Sequence, residues 1–151
     1  MITGIGIDVV DIARFERQLA RTPALLARLF AESEQARPMR SLAARFAAKE
    51  SLIKALGGRA DVNFHDMVIV QDDLGNPDFR LSGELARHLE RLGIDRVHLS
   101  MSHDAGIASA FVVLEATGAP GGIGQIGATG TGDGHDAPGS DAPNPDSEPT
   151  R

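Results

Sequence analysis

Four groups of residues have types and spacings suited to chemistry. The first is Gly4-Ile5-Gly6-Ile7-Asp8. Side chains of an extended chain alternate between two faces, so Gly4, Gly6 and Asp8 share one. Two glycines beside a carboxylate leave room there for a bulky ligand. The segment is not a dinucleotide-binding fingerprint, because Val9 stands where the third glycine belongs. An edge strand carrying a solvated Asp8 is the plainer alternative.

The second group lies in Arg45-Phe46-Ala47-Ala48-Lys49-Glu50-Ser51-Leu52-Ile53-Lys54. At helical spacing, Leu42, Phe46, Ile53 and Leu56 gather on one side. Ala43, Ala47, Ser51 and Ala55 gather on the other, the pattern of a helix buried on both sides. Glu50 and Lys54, four residues apart, stand side by side at the edge of the small-residue face. On a wet helix such a pair contributes only about 0.2–0.5 kcal/mol. Inside a tight one, a carboxylate and an ammonium need partners, and a metal-bound phosphate satisfies both. Arg45 falls well around the helix from Glu50. A phosphate held by Arg45 is therefore a different one, or belongs to a neighbouring subunit's site.

Ser100-Met101-Ser102-His103-Asp104 is the third group. Ser-His-Asp in direct succession is not a catalytic triad, since adjacent side chains cannot form that relay. The segment is either a polar hairpin turn or a strand end that offers a hydroxyl and an imidazole to a phosphate. The fourth group is the stripe Arg14, Arg17 and Arg21, one face of a helix. Acids are sparse on that face, so it serves either as an ordinary wet face or as a docking surface for an acidic partner.

The elements that carry these groups follow from periodicity and punctuation. Ile2 to Val10 reads as a strand, and Asp11 as the N-cap of the next helix. Ile12, Phe15 and Leu19 share that helix's apolar face, and Pro23 ends or kinks it. A short helix follows near 24–30. A long Ala-rich helix, about Ser41–Leu56, stops at Gly57-Gly58. Val68–Val70 and Phe79–Leu81 read as strands around the turn Asp73-Leu74-Gly75-Asn76-Pro77. Ser82 caps a helix through about Leu92. Val97, Leu99 and Met101 alternate on a strand, and Ile107–Leu114 returns after the turn at His103–Gly106. Hairpin-joined strands with segregated helices predict an α+β fold with a largely antiparallel sheet.

The chain has 151 residues, a net charge of −6, no Cys, no Trp and no Tyr. Without Cys there are no disulfides, zinc-thiolate sites or thiol nucleophiles, which suits a reducing cytoplasm. No signal peptide and no membrane-spanning stretch is expected. Nine bases and four acids fall between Arg14 and Lys54, a locally basic surface that favours an anionic partner. After Thr117 the composition turns to Gly, Pro and Asp. Residues 1–117 are expected to fold as one domain, and 118–151 to be a disordered tail.

Together these segments resemble the holo-(acyl-carrier-protein) synthase family of 4′-phosphopantetheinyl transferases. The resemblance rests on Gly4–Ile12, Arg45–Glu50 with Lys54–Gly57, Gly75-Asn76-Pro77, Ser100–Asp104 and Ala108-Ser109-Ala110, in that order over about residues 1–117. Ala31 stands where the family often has Ser or Thr, and Gly58-Arg59-Ala60 replaces a usual Gly-Thr-Gly. The resemblance implies a homotrimer with active sites at subunit interfaces. It implies transfer of 4′-phosphopantetheine from coenzyme A to a serine of an acyl carrier protein, releasing 3′,5′-ADP, in fatty acid biosynthesis. Asp8 and Glu50 would bind Mg²⁺, and Lys54 would reach the coenzyme A phosphates. Arg45 and His103 would hold the nucleotide part. Arg14, with Arg17 and Arg21, would dock the acidic carrier, and neither nucleic acid nor membrane is an expected partner. Glu50 is the candidate general base. Two other readings use the same residues: a metal-dependent phosphoesterase, and a non-enzymatic module that captures an acidic partner through the arginine stripe.

Overall fold

Asp11 ends the first strand and starts the first helix: its carboxylate accepts the backbone N–H of Arg14 at 2.8 Å, the N-cap bond expected of that residue. The computed structural model describes residues 1–58 and 62–118. The expected tail, from residue 119 on, and the substituted loop at 59–61 lie outside the described residues.

β1 (Ile2–Asp11) leads into α1 (Ile12–Arg21), α2 (Ala24–Leu29), α3 (Glu32–Gln35) and α4 (Met39–Ala55). A 3-10 turn (Phe64–Asp66), β2 (Met67–Gln71), β3 (Pro77–Leu81), α5 (Gly83–Arg91), β4 (Arg96–Asp104) and β5 (Ile107–Glu115) follow. The α+β expectation holds, and every strand pairing among the described residues is antiparallel. The expected sheet is divided in two, however: β1-β5-β4 form one sheet and β2-β3 the other. Ser82 occupies the cap position of α5 without making a side-chain bond. No described helix is long and apolar enough to cross a membrane.

α4 begins right after Pro38, whose ring suits the entry to a first turn. It ends where Gly57 takes φ +76 and Gly58 N–H donates to the Ile53 carbonyl at 2.9 Å, the hydrogen bond of a Schellman stop. The helix lies across the inner face of β1 and β5, and the contact is backbone to backbone. A Cβ on Gly6 would stand 1.9 Å from the Ser51 carbonyl oxygen, and one on Gly4 would stand 2.2 Å from that of Ala55. The space left by the two glycines is therefore filled by α4, not by a ligand, which corrects the sequence-based expectation. Ser51 Oγ donates to the Ala110 carbonyl on β5 at 3.0 Å, completing the seam.

The opposite flank of α4 packs on the α1–α2 layer. Phe15 stacks on Phe46 with centroids 5.1 Å apart, and Phe46 on Phe64 at 6.2 Å. The Phe15 ring meets Phe30 edge-on. With the small residues turned inward, the branched residues of β1 face out. Ile5, Ile7 and Val9 are each 57–59 % exposed, and Ile7 lies opposite Phe111 of β5, itself exposed.

Candidate active site

The glycine seam brings α4's polar edge to β1. Lys54 Nζ donates to Asp8 Oδ1 at 2.7 Å and to the Ile7 carbonyl at 3.1 Å. Asp8 is 16 % exposed and Lys54 52 %. The ammonium is thus not enclosed, contrary to the expectation that the helix buries it, because the exposed end of α4 leaves its tip in water. Glu50 is half-buried. Burial pushes its carboxyl above the usual carboxylate range, the charge of Asp8 adds to this, and Lys54 opposes it.

Two carboxylates against one ammonium leave an excess of negative charge. Among the described residues there is no group of three or more His, Cys, Asp or Glu that could hold a metal ion. The donor set is therefore a carboxylate pair. Mg²⁺ is commonly bound by one or two carboxylates, with waters and substrate phosphates completing its octahedron, so the residues present fit that ion.

Asp8 and Glu50 open onto a cleft of about 570 Å³ that Asp11, Arg14, Phe15 and Phe46 also line. The N-cap sets this arrangement, since Asp11 starts α1 so that Arg14 falls one turn in, at the cleft. Arg17 and Arg21 follow along the exposed face of α1. Asp8, Glu50, Lys54 and Arg14 are therefore brought together.

Arg45 and His103 do not join them. Arg45 is 3 % exposed. Its Nη1 donates to Ser41 Oγ, and its Nε lies 3.8 Å from Glu34 Oε1. Burial, with Arg37 nearby, depresses the guanidinium's pKa, and Glu34 counteracts this. His103 is exposed on β4, in register with Ala108 and through it with Val10. That is two strand spacings from β1, about 10 Å. Ser102 alternates to the other face of β4, so the hydroxyl and the imidazole do not converge on one ligand.

Two functional-looking charges escaped the sequence reading. Lys49 is fully buried and Glu34 is 1 % exposed, and they pair at 2.8 Å. The signal for Glu34 was present: it stands three residues after Ala31 and accepts that residue's N–H at 3.1 Å. This is half of a capping box, with no hydroxyl at Ala31 to return the bond.

Comparison with known proteins agrees with this geometry. Residues 4–108 match the family model described as the 4′-phosphopantetheinyl transferase superfamily. A holo-[acyl-carrier-protein] synthase of Leifsonia xyli subsp. xyli is 63 % identical over 115 residues, 76 % of this chain and 98 % of that protein. One of Clavibacter sepedonicus is 59 % identical over 119 residues, 79 % of this chain and all of that protein. The crystal structure of the Neisseria meningitidis holo-[acyl-carrier-protein] synthase superposes with a TM-score of 0.71 at 40 % identity, covering 76 % of this chain and 99 % of its own. The Helicobacter pylori enzyme, solved in complex with coenzyme A, gives 0.66 at 35 % identity over 74 % of this chain and 99 % of its own. With its glycine seam, carboxylate pair and basic first helix over the same span, the chain belongs to the 4′-phosphopantetheinyl transferase superfamily, among the holo-(acyl-carrier-protein) synthases.

Proposed function

We propose that this chain transfers 4′-phosphopantetheine from coenzyme A to a serine of apo-acyl carrier protein, with Asp8 and Glu50 as the carboxylates for one Mg²⁺ ion. The observation that carries this reading is the convergence of Asp8 and Glu50 on a cleft that Arg14 of the basic helix also lines, with Lys54 bonded to Asp8. A phosphoesterase reading accounts for the carboxylates alone, and a binding module for the arginines alone.

The carrier serine oxygen attacks the phosphorus that bears pantetheine. A new O–P bond forms as the P–O bond to 3′,5′-ADP breaks, and the serine proton passes to Glu50. Glu50 lines the cleft beside Asp8, where the attacking serine would approach. When bound, Mg²⁺ supplies charge neutralisation for the pyrophosphate oxygens. Catalysis is otherwise positioning and electrostatics. Lys54, half exposed on a flexible stem, turns from Asp8 toward the departing phosphate. Arg14, Arg17 and Arg21 receive the acidic carrier, whose approach is steered by charge.

His103 serves the nucleotide end of coenzyme A from a neighbouring subunit, in a homotrimer formed through the outer face of the β1-β5-β4 sheet. The apolar exposure of Ile5, Ile7, Val9 and Phe111 supports this, because a contiguous apolar patch on a soluble chain marks an interaction surface. Arg45 is not part of this proposal, since its guanidinium is engaged with Ser41 and Glu34. A cysteine-free chain that consumes coenzyme A suits the cytoplasm.

Intact-mass spectrometry of apo-acyl carrier protein, incubated with this chain, coenzyme A and Mg²⁺, tests the proposal. The expected result is a gain of one phosphopantetheine that disappears with EDTA. Nucleotide release without any gain of mass would favour the phosphoesterase.

A further inference from the structure

We propose that the buried Glu34–Lys49 ion pair is a positioning device: it fixes the rotation of α4 about its axis, and so the direction in which Glu50 faces Asp8. The inference rests on the reading of Glu50 as an active-site carboxylate.

Lys49 Nζ makes three hydrogen bonds, to the Leu29 carbonyl at 2.8 Å, to Glu34 Oε2 at 2.8 Å and to the Phe64 carbonyl at 3.1 Å. An ammonium has three hydrogens, so its donors are all used. Its tip also sits 5.1 Å from the centre of the Phe30 ring. Glu34 is equally occupied. Its Oε2 accepts the Ala31 N–H as well, and its Oε1 accepts the Ile69 N–H at 3.2 Å. The end of α2, α3, α4, the 3-10 turn and β2 therefore meet at one buried charge pair.

The geometry of α4 gives this knot leverage. Successive residues turn about 100° around a helix. Lys49 and Ser51 thus lie nearly opposite, and Glu50 lies between them, about 100° from each. Ser51 is set against Gly6 of β1 and bonded to Ala110. Lys49 is fixed on the far side. With both flanks held, Glu50 at the seam has one direction to face. Side chains reach about 5–6 Å from the helix axis, so a rotation of about 10° would move its carboxylate by about 1 Å. Misplacement of that size can lower a rate about 10²-fold. Packing alone does not call for this arrangement, since a buried ion pair often adds no stability over apolar residues of the same volume. What hydrogen-bonded charges add is direction.

The test uses the full chain with Glu34→Gln, Lys49→Met, the neutral double variant Glu34→Gln/Lys49→Met, and Glu50→Gln as control. Thermal midpoint, kcat, Mg²⁺ half-saturation and the KM for apo-acyl carrier protein are measured. Calorimetric binding of coenzyme A in the presence of Mg²⁺ is the readout independent of turnover. For a folded double variant, kcat falls about tenfold and Mg²⁺-dependent coenzyme A binding weakens about tenfold, while the carrier KM stays unchanged. If Lys49→Met fails to fold, Glu34→Gln gives the same reading, because it keeps an acceptor for Ile69. Folded variants with wild-type kcat, Mg²⁺ half-saturation and coenzyme A affinity would overturn the positioning role and leave the pair as a core contact only. Should Glu50→Gln itself transfer at the wild-type rate, the assignment of Glu50 fails and the inference falls with it. An inactive Glu50→Gln beside fully active Glu34 and Lys49 variants sinks the inference alone.

Discussion

The Ser51 carbonyl oxygen of α4 lies where a Cβ on Gly6 of β1 would be, 1.9 Å away. Both sides of this contact are backbone, so neither can step aside without moving a whole element. Gly6→Ala is expected to push α4 off the sheet, lowering stability by about 3 kcal/mol and separating Glu50 from Asp8. Urea denaturation gives the first number. Transfer activity below the denaturation range gives the second, and an alanine variant with both values unchanged would show that the seam is compliant.

Asp8→Ala removes one of two carboxylates and the ion-pair partner of Lys54. Because Lys54 is half exposed, the stability loss should stay under about 1 kcal/mol. Turnover, by contrast, should fall by about 10²-fold or more. Near-wild-type turnover at saturating Mg²⁺ would remove Asp8 from the metal site.

Arg14 lines the cleft, and its backbone N–H is held by Asp11. Arg14→Glu keeps that cap bond and reverses the charge. The KM for the carrier should rise about tenfold, more steeply at low salt, with little change for coenzyme A. An unchanged carrier KM argues against docking on α1.

The raised pKa of Glu50 has a defined sign in stability. The folded chain binds this proton more tightly than the unfolded chain, so the contribution is whole in acid and lost as pH rises through the folded pKa. A cation beside the carboxylate compensates for the cost that remains. In melting experiments, Mg²⁺ should therefore raise the Tm more at about pH 8 than at about pH 5. Glu50→Gln should shrink that difference. A Mg²⁺ effect equal at both pH values in the wild type would rule out Glu50 as its source.

Ile7 is 57 % exposed and stands opposite Phe111 on the outer sheet face. Ile7→Asp should leave the subunit folded and dissociate the proposed trimer in sedimentation experiments, because an unpaired charge at an apolar contact is strongly unfavourable. If the variant sediments as the wild type does, the outer sheet face is not a subunit contact.

Much of the molecule was legible in the amino-acid order because it rests on local rules. Asp11 as a cap, Gly57 as a stop and the alternation of β4 depend on neighbours within a few residues, and each is found where periodicity put it. The side-by-side placement of Glu50 and Lys54 followed from their spacing of four residues, and only the resemblance joined Asp8 to them. Which way each face turned could not be settled locally. In β1 the branched residues face outward and the glycines inward, against the usual pattern of apolar residues in the core, because α4 needs a surface without side chains in order to approach. Lys49, not Lys54, is the buried lysine, and Glu34 and Arg45 lie in the interior. Chain order by itself determined the elements, their caps and the residue types available for chemistry. Only the tertiary structure decided which charges share a cleft and which neutralise one another in the core, because those choices depend on how closely distant backbones can pack.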